Sequence, residues 1–346
     1  MPSSPRRAGP NHAGRAVRPV RPAPGGGGRT LVFVPIRRPS VKPSPVYVAL
    51  LATQVIFATL PIAVKLALRD LSSPSLALLR VTGAALLFVV LQLALVRERV
   101  RSGRDYALLA VFALLGVVAN QLLYITALTL TTATDAQTLQ TAGPAITLLI
   151  AILLRRESSS PGKWAGIGLA ASGVLYLVGV DFGSGSGVGN LLALLNVASF
   201  SLYLVVSRRM VQRYDPLTVT TWLFVFGAAG IAPWGLPSLL AETGPVSGTT
   251  WAVMAWIVVL PTVLAYYLNV WALKRVESSV VAIYVYLQPV VTALLAGPVL
   301  GERLSPRLLP AAGLIFAGVA LTAWSGRRAR LRDAGPSVGE QEHVEM

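Results

Sequence analysis

From Val46 to Trp324 the chain is a succession of long apolar runs separated by short polar joints. Ten runs reach the roughly 20 residues that a helix needs to cross a bilayer core. They cover 46–68, 74–96, 106–128, 133–154, 163–180, 190–207, 216–239, 250–273, 279–300 and 307–325. The pattern predicts an all-α integral membrane protein of ten transmembrane helices. The remaining stretches are different. Residues 1–45 hold nine Arg or Lys, no Asp or Glu, and many Pro and Gly, as a disordered basic tail does. Within it, Leu31 to Ile36 is too short, and too broken by Pro35, for the apolar region of a signal peptide. Residues 182–189, around the Gly/Ser run from Gly183 to Gly187, read as a linker, and 327–346 as a charged tail.

The apolar pattern repeats. Ala127, Leu128, Pro144, Thr147, Glu157, Ser160, Pro161, Gly168, Gly173 and Val174 recur 145 positions later as Ala272, Leu273, Pro289, Thr292, Glu302, Ser305, Pro306, Gly313, Gly318 and Val319. Ala and Leu matches are cheap in an apolar chain, but two Pro, one Glu and two Gly pairs at one offset are not. Residues 46–181 and 190–326 therefore read as two copies of a five-helix unit. A unit with an odd number of spans enters the membrane in the opposite sense the second time. The expected architecture is two inverted five-helix repeats (5+5), with Glu157 at one membrane face and Glu302 at the other.

Composition narrows the function classes. The chain is 54% hydrophobic and 13% charged, about half the charge of a soluble globular protein. It has no Cys, and its two His (His12 and His343) lie in the tails, so no thiol chemistry, metal site or cofactor is expected. The net charge of +16 would suggest nucleic acid as a partner if it were spread over a soluble surface. Here 25 of the 30 Lys and Arg fall in the tails and in alternate loops, which is the positive-inside signature. The sorting puts both termini in the cytoplasm of a multi-pass protein of the plasma membrane, with the lipid bilayer rather than nucleic acid as its partner.

A proline in a spanning helix, a Glu in the next loop and a Gly-rich helix after it, duplicated across ten spans, resemble the drug/metabolite transporter superfamily, specifically its EamA-like members. The residues that carry the likeness include Pro74 to Arg80, Pro261 to Tyr267, Leu287-Gln288-Pro289 and Gly301 to Ser305. The chain departs from the family early in the first helix, where members often carry Trp-Gly and this sequence reads Val55-Ile56-Phe57-Ala58-Thr59. The resemblance implies a secondary transporter, not an enzyme. It would move a small organic metabolite or drug, amino-acid-like or amine, outward by alternating access. The alternatives are a membrane-embedded enzyme and a non-transporting receptor or scaffold. The absence of Cys, His and paired carboxylates in the spans argues against the enzyme.

Inverted repeats place a solute near the midplane, between the halves. Pro144 and Pro289 interrupt the fourth and ninth spans and would leave the carbonyls of Gln140 and Val285 without their usual donors. Polar side chains near them are expensive in lipid and so must face the bundle or water. The expected pathway residues are Gln137, Gln140, Thr141, Tyr284 and Gln288 beside the two prolines, with Asn120, Tyr124, Tyr266 and Asn269 on the third and eighth spans. Asn196 and Tyr203 on the sixth and Arg80 on the second complete the set. Arg80 is expected to draw an anionic group or to tie the second helix to the first. Lys65 is expected to reach the outer interface, Asp135 to cap its helix, and Glu157 and Glu302 to cap helix ends and pair Arg156 or Arg303. The Gly-rich faces around Gly166, Gly168, Gly173, Gly313 and Gly318 suit close helix packing, within one protomer or in a homodimer.

Overall fold

The computed structural model describes residues 43–178, 185–265, 268, 272 and 284–333. Of the candidate residues, Tyr266 and Asn269 lie outside that set. Every regular element among the described residues is helical. The order is α1 (Pro43–Ala67), α2 (Ser73–Leu95), α3 (Gly103–Ala113), a π-helical stretch (Leu114–Ala119), α4 (Asn120–Leu130), α5 (Ala133–Gln140) and α6 (Gly143–Leu153). There follow α7 (Pro161–Val178), α8 (Gly185–Arg213), α9 (Pro216–Ala241), α10 (Gly248–Ile257), a second π-helical stretch (Val258–Leu264), α11 (Leu287–Leu300) and α12 (Leu308–Asp333). Six continuous helices are long and apolar enough to cross a membrane, and α5 with α6 forms a seventh such unit, bent by 42°.

The helix starts are written locally. Ser102, Thr132 and Ser247 each precede a helix and accept from the backbone N–H three residues on, and Asp215 accepts from Leu217 N. Pro74, Pro144 and Pro216 sit in first turns, where a missing N–H costs nothing. Other caps come from distant loops. Glu98 accepts from Asp215 N (2.7 Å), and Glu242 accepts from Ser72 N (2.8 Å). The loop after α2 thus serves the start of α9, and the loop after α9 serves the start of α2.

Interruptions also recur at or within one residue of the same offset. The two π-helical stretches begin at Leu114 and Val258, and the α5–α6 break at Thr141 answers a turn at Tyr286, 145 positions on. At the first break, Thr141 N and Ala142 N bond back only three residues, to Thr138 O and Leu139 O. Pro144 then stands in the first turn of α6. The proline therefore starts a new helix rather than kinking one long one, because the tightened turn has already ended α5.

The core is apolar, but the outer surface is apolar too, and several polar side chains lie inside. Leu86, Val90, Leu93, Leu240, Leu294 and Leu309 are exposed, whereas Gln54, Arg80, Gln137 and Asn196 are buried. The closest helix contact is between α7 and α12. A Cβ on Gly166 would stand 2.7 Å from Gly318 O, and one on Gly173 would stand 2.8 Å from Ala311 O. Backbones that close exclude any side chain, so these glycines hold the two helices together within one protomer. Gly168 and Gly313 have open space instead.

Candidate functional site

The polar side chains buried between the helices join into two strings that meet on α5. In the first, Gln137 Nε2 donates to Gln288 Oε1 (2.6 Å), and Gln288 Nε2 donates to Gln54 Oε1, so α5, α11 and α1 are tied by amides. In the second, Gln140 Nε2 donates to Asn196 Oδ1 (2.6 Å), and Asn196 Nδ2 donates to the carbonyl of Asn120 (2.7 Å). Gln121 Nε2 donates to Asn120 Oδ1 (3.4 Å), and Arg80 Nη1 donates to Gln121 Oε1 (2.9 Å). Gln137 and Gln140 are three residues apart on one helix, so one face of α5 serves both strings. The strings engage α1, α2, α4, α5, α8 and α11, and thus both copies of the repeat.

Each carbon–amide body suits this place. Gln and Asn carry both donor and acceptor, so they can pair with one another in a dry interior and can re-pair with a polar solute. The helix breaks add backbone groups at the same level, with Thr141 fully buried beside the α5 end and its hydroxyl donating to Thr138 O (2.6 Å). Ser201 Oγ donates to Gly143 O (3.4 Å) and receives from Thr147 Oγ1 (3.0 Å), which fixes α6 to α8 below the break.

The remaining expected residues divide. Tyr124 is buried close to Arg80. Tyr203 packs its ring on the first π-helical stretch, where a Cβ on Gly116 would lie 2.8 Å from the ring. Pro289 is buried, and Pro144 is exposed. Tyr284 stacks on Tyr47 with centroids 6.5 Å apart. Arg80 ties α2 to α4 and not to the first helix, because its guanidinium reaches Gln121. Sequence reading overlooked Gln54 and Gln121. Both are buried amides within apolar spans, and that feature is visible in the chain itself.

A second cluster lies at the end of the bundle where α5 begins. Lys65 Nζ stands 2.9 Å from Glu302 Oε1, and Ala133 N donates to both Glu302 oxygens at 2.9 and 3.0 Å. Glu302 does cap a helix, as expected, but its cation is Lys65 and not Arg303. Lys65 is correspondingly held by an ion pair rather than extended to an interface. Glu157 pairs Lys163 (3.3 Å) rather than Arg156. Lys65 and Glu302, with Leu68, Leu128, Thr129 and Leu300, line a recess of about 310 Å³. Among the described residues, no group of three or more metal-binding side chains converges.

Comparison with known proteins agrees with this plan. The model of the EamA-like transporter family matches twice, over residues 44–179 and 187–324, one match to each copy. An uncharacterized transporter of Archaeoglobus fulgidus is 30% identical over 81% of this chain and 97% of its own length. The uncharacterized transporter YetK of Bacillus subtilis is 25% identical over 58% of this chain and 62% of its own, and a WAT1-related protein of Arabidopsis thaliana 25% identical over 63% and 64%. A solved crystal structure superposes on 83% of this chain and 99% of its own with a TM-score of 0.56 at 22% identity, a likeness of fold alone. The chain belongs to the EamA-like transporter family of the drug/metabolite transporter superfamily, and it is a multi-pass membrane transporter, not an enzyme.

Proposed function

We propose that the protein is a secondary transporter that exports a small organic solute, amino-acid-like or amine, across the cytoplasmic membrane by alternating access. Ten spans in two inverted halves carry it, with both termini cytoplasmic. The observation that carries the reading is the pair of amide strings at the level of the helix breaks, where the two repeats meet on α5. A solute entering there exchanges the Gln137–Gln288 and Gln140–Asn196 bonds for its own, which costs little because donors and acceptors are only re-paired. Arg80, buried with a single amide partner and no carboxylate among the described residues within ion-pair distance, supplies the positive charge for a solute carboxylate.

Flux in proteoliposomes tests the reading with amino acids, amines and drug cations as solutes. Interhelical hydrogen bonds in membranes average about 0.6 kcal/mol, so Gln137→Ala, Asn196→Ala and Gln288→Ala variants retain the fold. Their expected flux is at least about tenfold below the wild type, the equivalent of one lost polar contact. Full flux in all three removes the strings from the pathway. The topology is tested on the Cys-free background. Cysteines at Ser102 and Ser186 label from opposite sides of the membrane, and same-side labelling contradicts the inverted arrangement.

A further inference from the structure

We propose that the recess between Lys65 and Glu302 is a binding site for a zwitterion with an apolar body, such as an aliphatic amino acid. The recess holds about 310 Å³ and is lined by both charged side chains, by Leu68, Leu128 and Leu300, and by Thr129. It offers one cation, one anion and one hydroxyl, and the rest is hydrocarbon. Its walls come from the ends of α1, α4 and α11 and the loop after α11, so both copies of the repeat build it.

The ion pair selects the ligand. Lys65 Nζ lies 2.9 Å from Glu302 Oε1, with the two side chains 22% and 10% exposed. Charges so shielded are costly to leave single. A bare amine that takes Glu302 strands Lys65, and a bare carboxylate that takes Lys65 strands Glu302. A zwitterion replaces both partners at once. Its carboxylate accepts from Lys65, its ammonium donates to Glu302 Oε1, and no charge is left alone. An ammonium has three donors and a carboxylate about four acceptor positions, so the new bonds form before the old one parts. The Ala133 N–H stays on both Glu302 oxygens (2.9 and 3.0 Å), so α5 keeps its cap throughout. Thr129 Oγ1 spends its proton on Thr126 O (2.7 Å) and keeps its lone pairs for the ammonium.

The molecule's other charged places do not offer this exchange. Lys163 pairs Glu157 but also donates to Ser158 O (2.7 Å), and Glu157 is 41% exposed, so water replaces a lost partner. Asp70 lines a recess of about 290 Å³, but Ser247 and Thr250 already satisfy it. The role of the Lys65–Glu302 site rests on the transport reading above and narrows it. Lys65 belongs to the first copy and Glu302 to the second, so a zwitterion between them takes apart the pair that joins the copies at this end. Simple amines and drug cations leave that pair closed.

Thiol labelling of the full chain, purified in detergent, tests the site directly. Thr129→Cys puts the only thiol of this Cys-free chain in the recess, and its modification rate is followed with three compounds of one shape: L-leucine, 3-methylbutylamine and 4-methylpentanoate. L-leucine is expected to slow labelling at a concentration at least about tenfold below either analogue, the equivalent of one charged hydrogen bond. Added to this background, Lys65→Met and Glu302→Gln each abolish the preference, whereas Gln288→Ala, in the amide string, keeps it. Equal slowing by all three compounds, a preference for either analogue, or no slowing by L-leucine overturns the proposal. So does a preference that Gln288→Ala removes and Lys65→Met keeps, which places the ligand at the strings. If a clamp variant does not fold, the three compounds on the Thr129→Cys chain decide alone. Transport is judged by flux: the preference without flux of any solute keeps the site and sinks the transport reading, and flux without the preference does the reverse.

Discussion

Glu157 and Glu302 stand 145 positions apart in matching loops and share one backbone bond. Glu157 N donates to Ala151 O (3.2 Å) and Glu302 N to Ala296 O (3.3 Å), the same bond in the same register. The side chains part company. Glu302 is 10% exposed, caps α5 and holds Lys65 of α1, so it joins the second copy to the first. Glu157 is 41% exposed and reaches only Lys163, six residues along its own copy. The match in sequence alone would give both glutamates the same job. One loop carries an inter-repeat clamp and the other a pair within its own copy. On the function proposed above, these are a closed and an open end, and two inverted copies would take turns at such contacts.

The largest test of that difference is truncation. Glu302→Ala strips a cap and leaves Lys65 partly buried without an anion, and the expected cost is about 2–4 kcal/mol of stability. Glu157→Ala removes a half-exposed pair and should cost less than about 1 kcal/mol. Equal losses, measured by thermal unfolding in the same detergent, erase the asymmetry. Next comes a double-mutant cycle of Lys65→Met with Glu302→Gln, expected to give a coupling of about 1–3 kcal/mol. A coupling near zero means that the cap on α5 alone accounts for Glu302.

A smaller pair of changes probes the loops themselves. The turn before Glu302 uses Gly301 at φ 71°, and the turn before Glu157 uses Arg155 at φ 54°. A left-handed backbone is free for glycine and costs other residues about 1 kcal/mol. Gly301→Ala should destabilise by about that amount and Arg155→Gly should stabilise by rather less, which brings the two loops closer in energy. The opposite signs in a denaturation series would mean that side-chain contacts, and not the backbone, set the loop shapes.

Much of this was legible in the chain. The apolar runs marked helices among the described residues, and the two prolines marked where their spans are interrupted, though the break itself falls three residues earlier, at Thr141, where the turn ends α5 before the proline. Gln137, Gln140, Asn196 and Gln288 stood out as polar residues that lipid would reject, and the fold joins them pairwise. Partner choice was not legible. Glu302 was matched to Arg303 because sequence offers only near neighbours, whereas its cation comes from 237 positions away. Asp135 looked like an ordinary first-turn acid. Only three-dimensional packing shows that Glu302 already occupies the donors such an acid would use. Glu98 and Glu242 carried no signal at all, since a cap supplied across loops has no local spacing.

The smallest effect concerns acid at the closed end. Asp70 accepts from Ser247 N (3.0 Å), from Ser247 Oγ (2.6 Å) and from Thr250 Oγ1 (2.7 Å), and so caps α10 from the loop after α1. Those bonds, with Arg69 nearby, hold its carboxyl below its ordinary 3.8. Glu242, bonded by Ser72 at the same end, is likewise held below 4.5. A carboxyl whose folded pKa is depressed adds stability that is complete above the unfolded pKa and is lost as pH falls through the folded one. Stability should therefore be flat near neutrality and decline only below about pH 4, by the uptake of at most one proton per group. Asp70→Asn should flatten that decline by one proton and leave the neutral value nearly unchanged, because the amide still accepts from Ser247. Both carboxylates are at the solvent edge, where salt screens them, so 1 M salt should shrink the decline. If Glu157→Gln, at the open end, flattens the acid limb as much as Asp70→Asn does, the stabilising carboxylates are not concentrated at one end, and the contrast between the two ends fails.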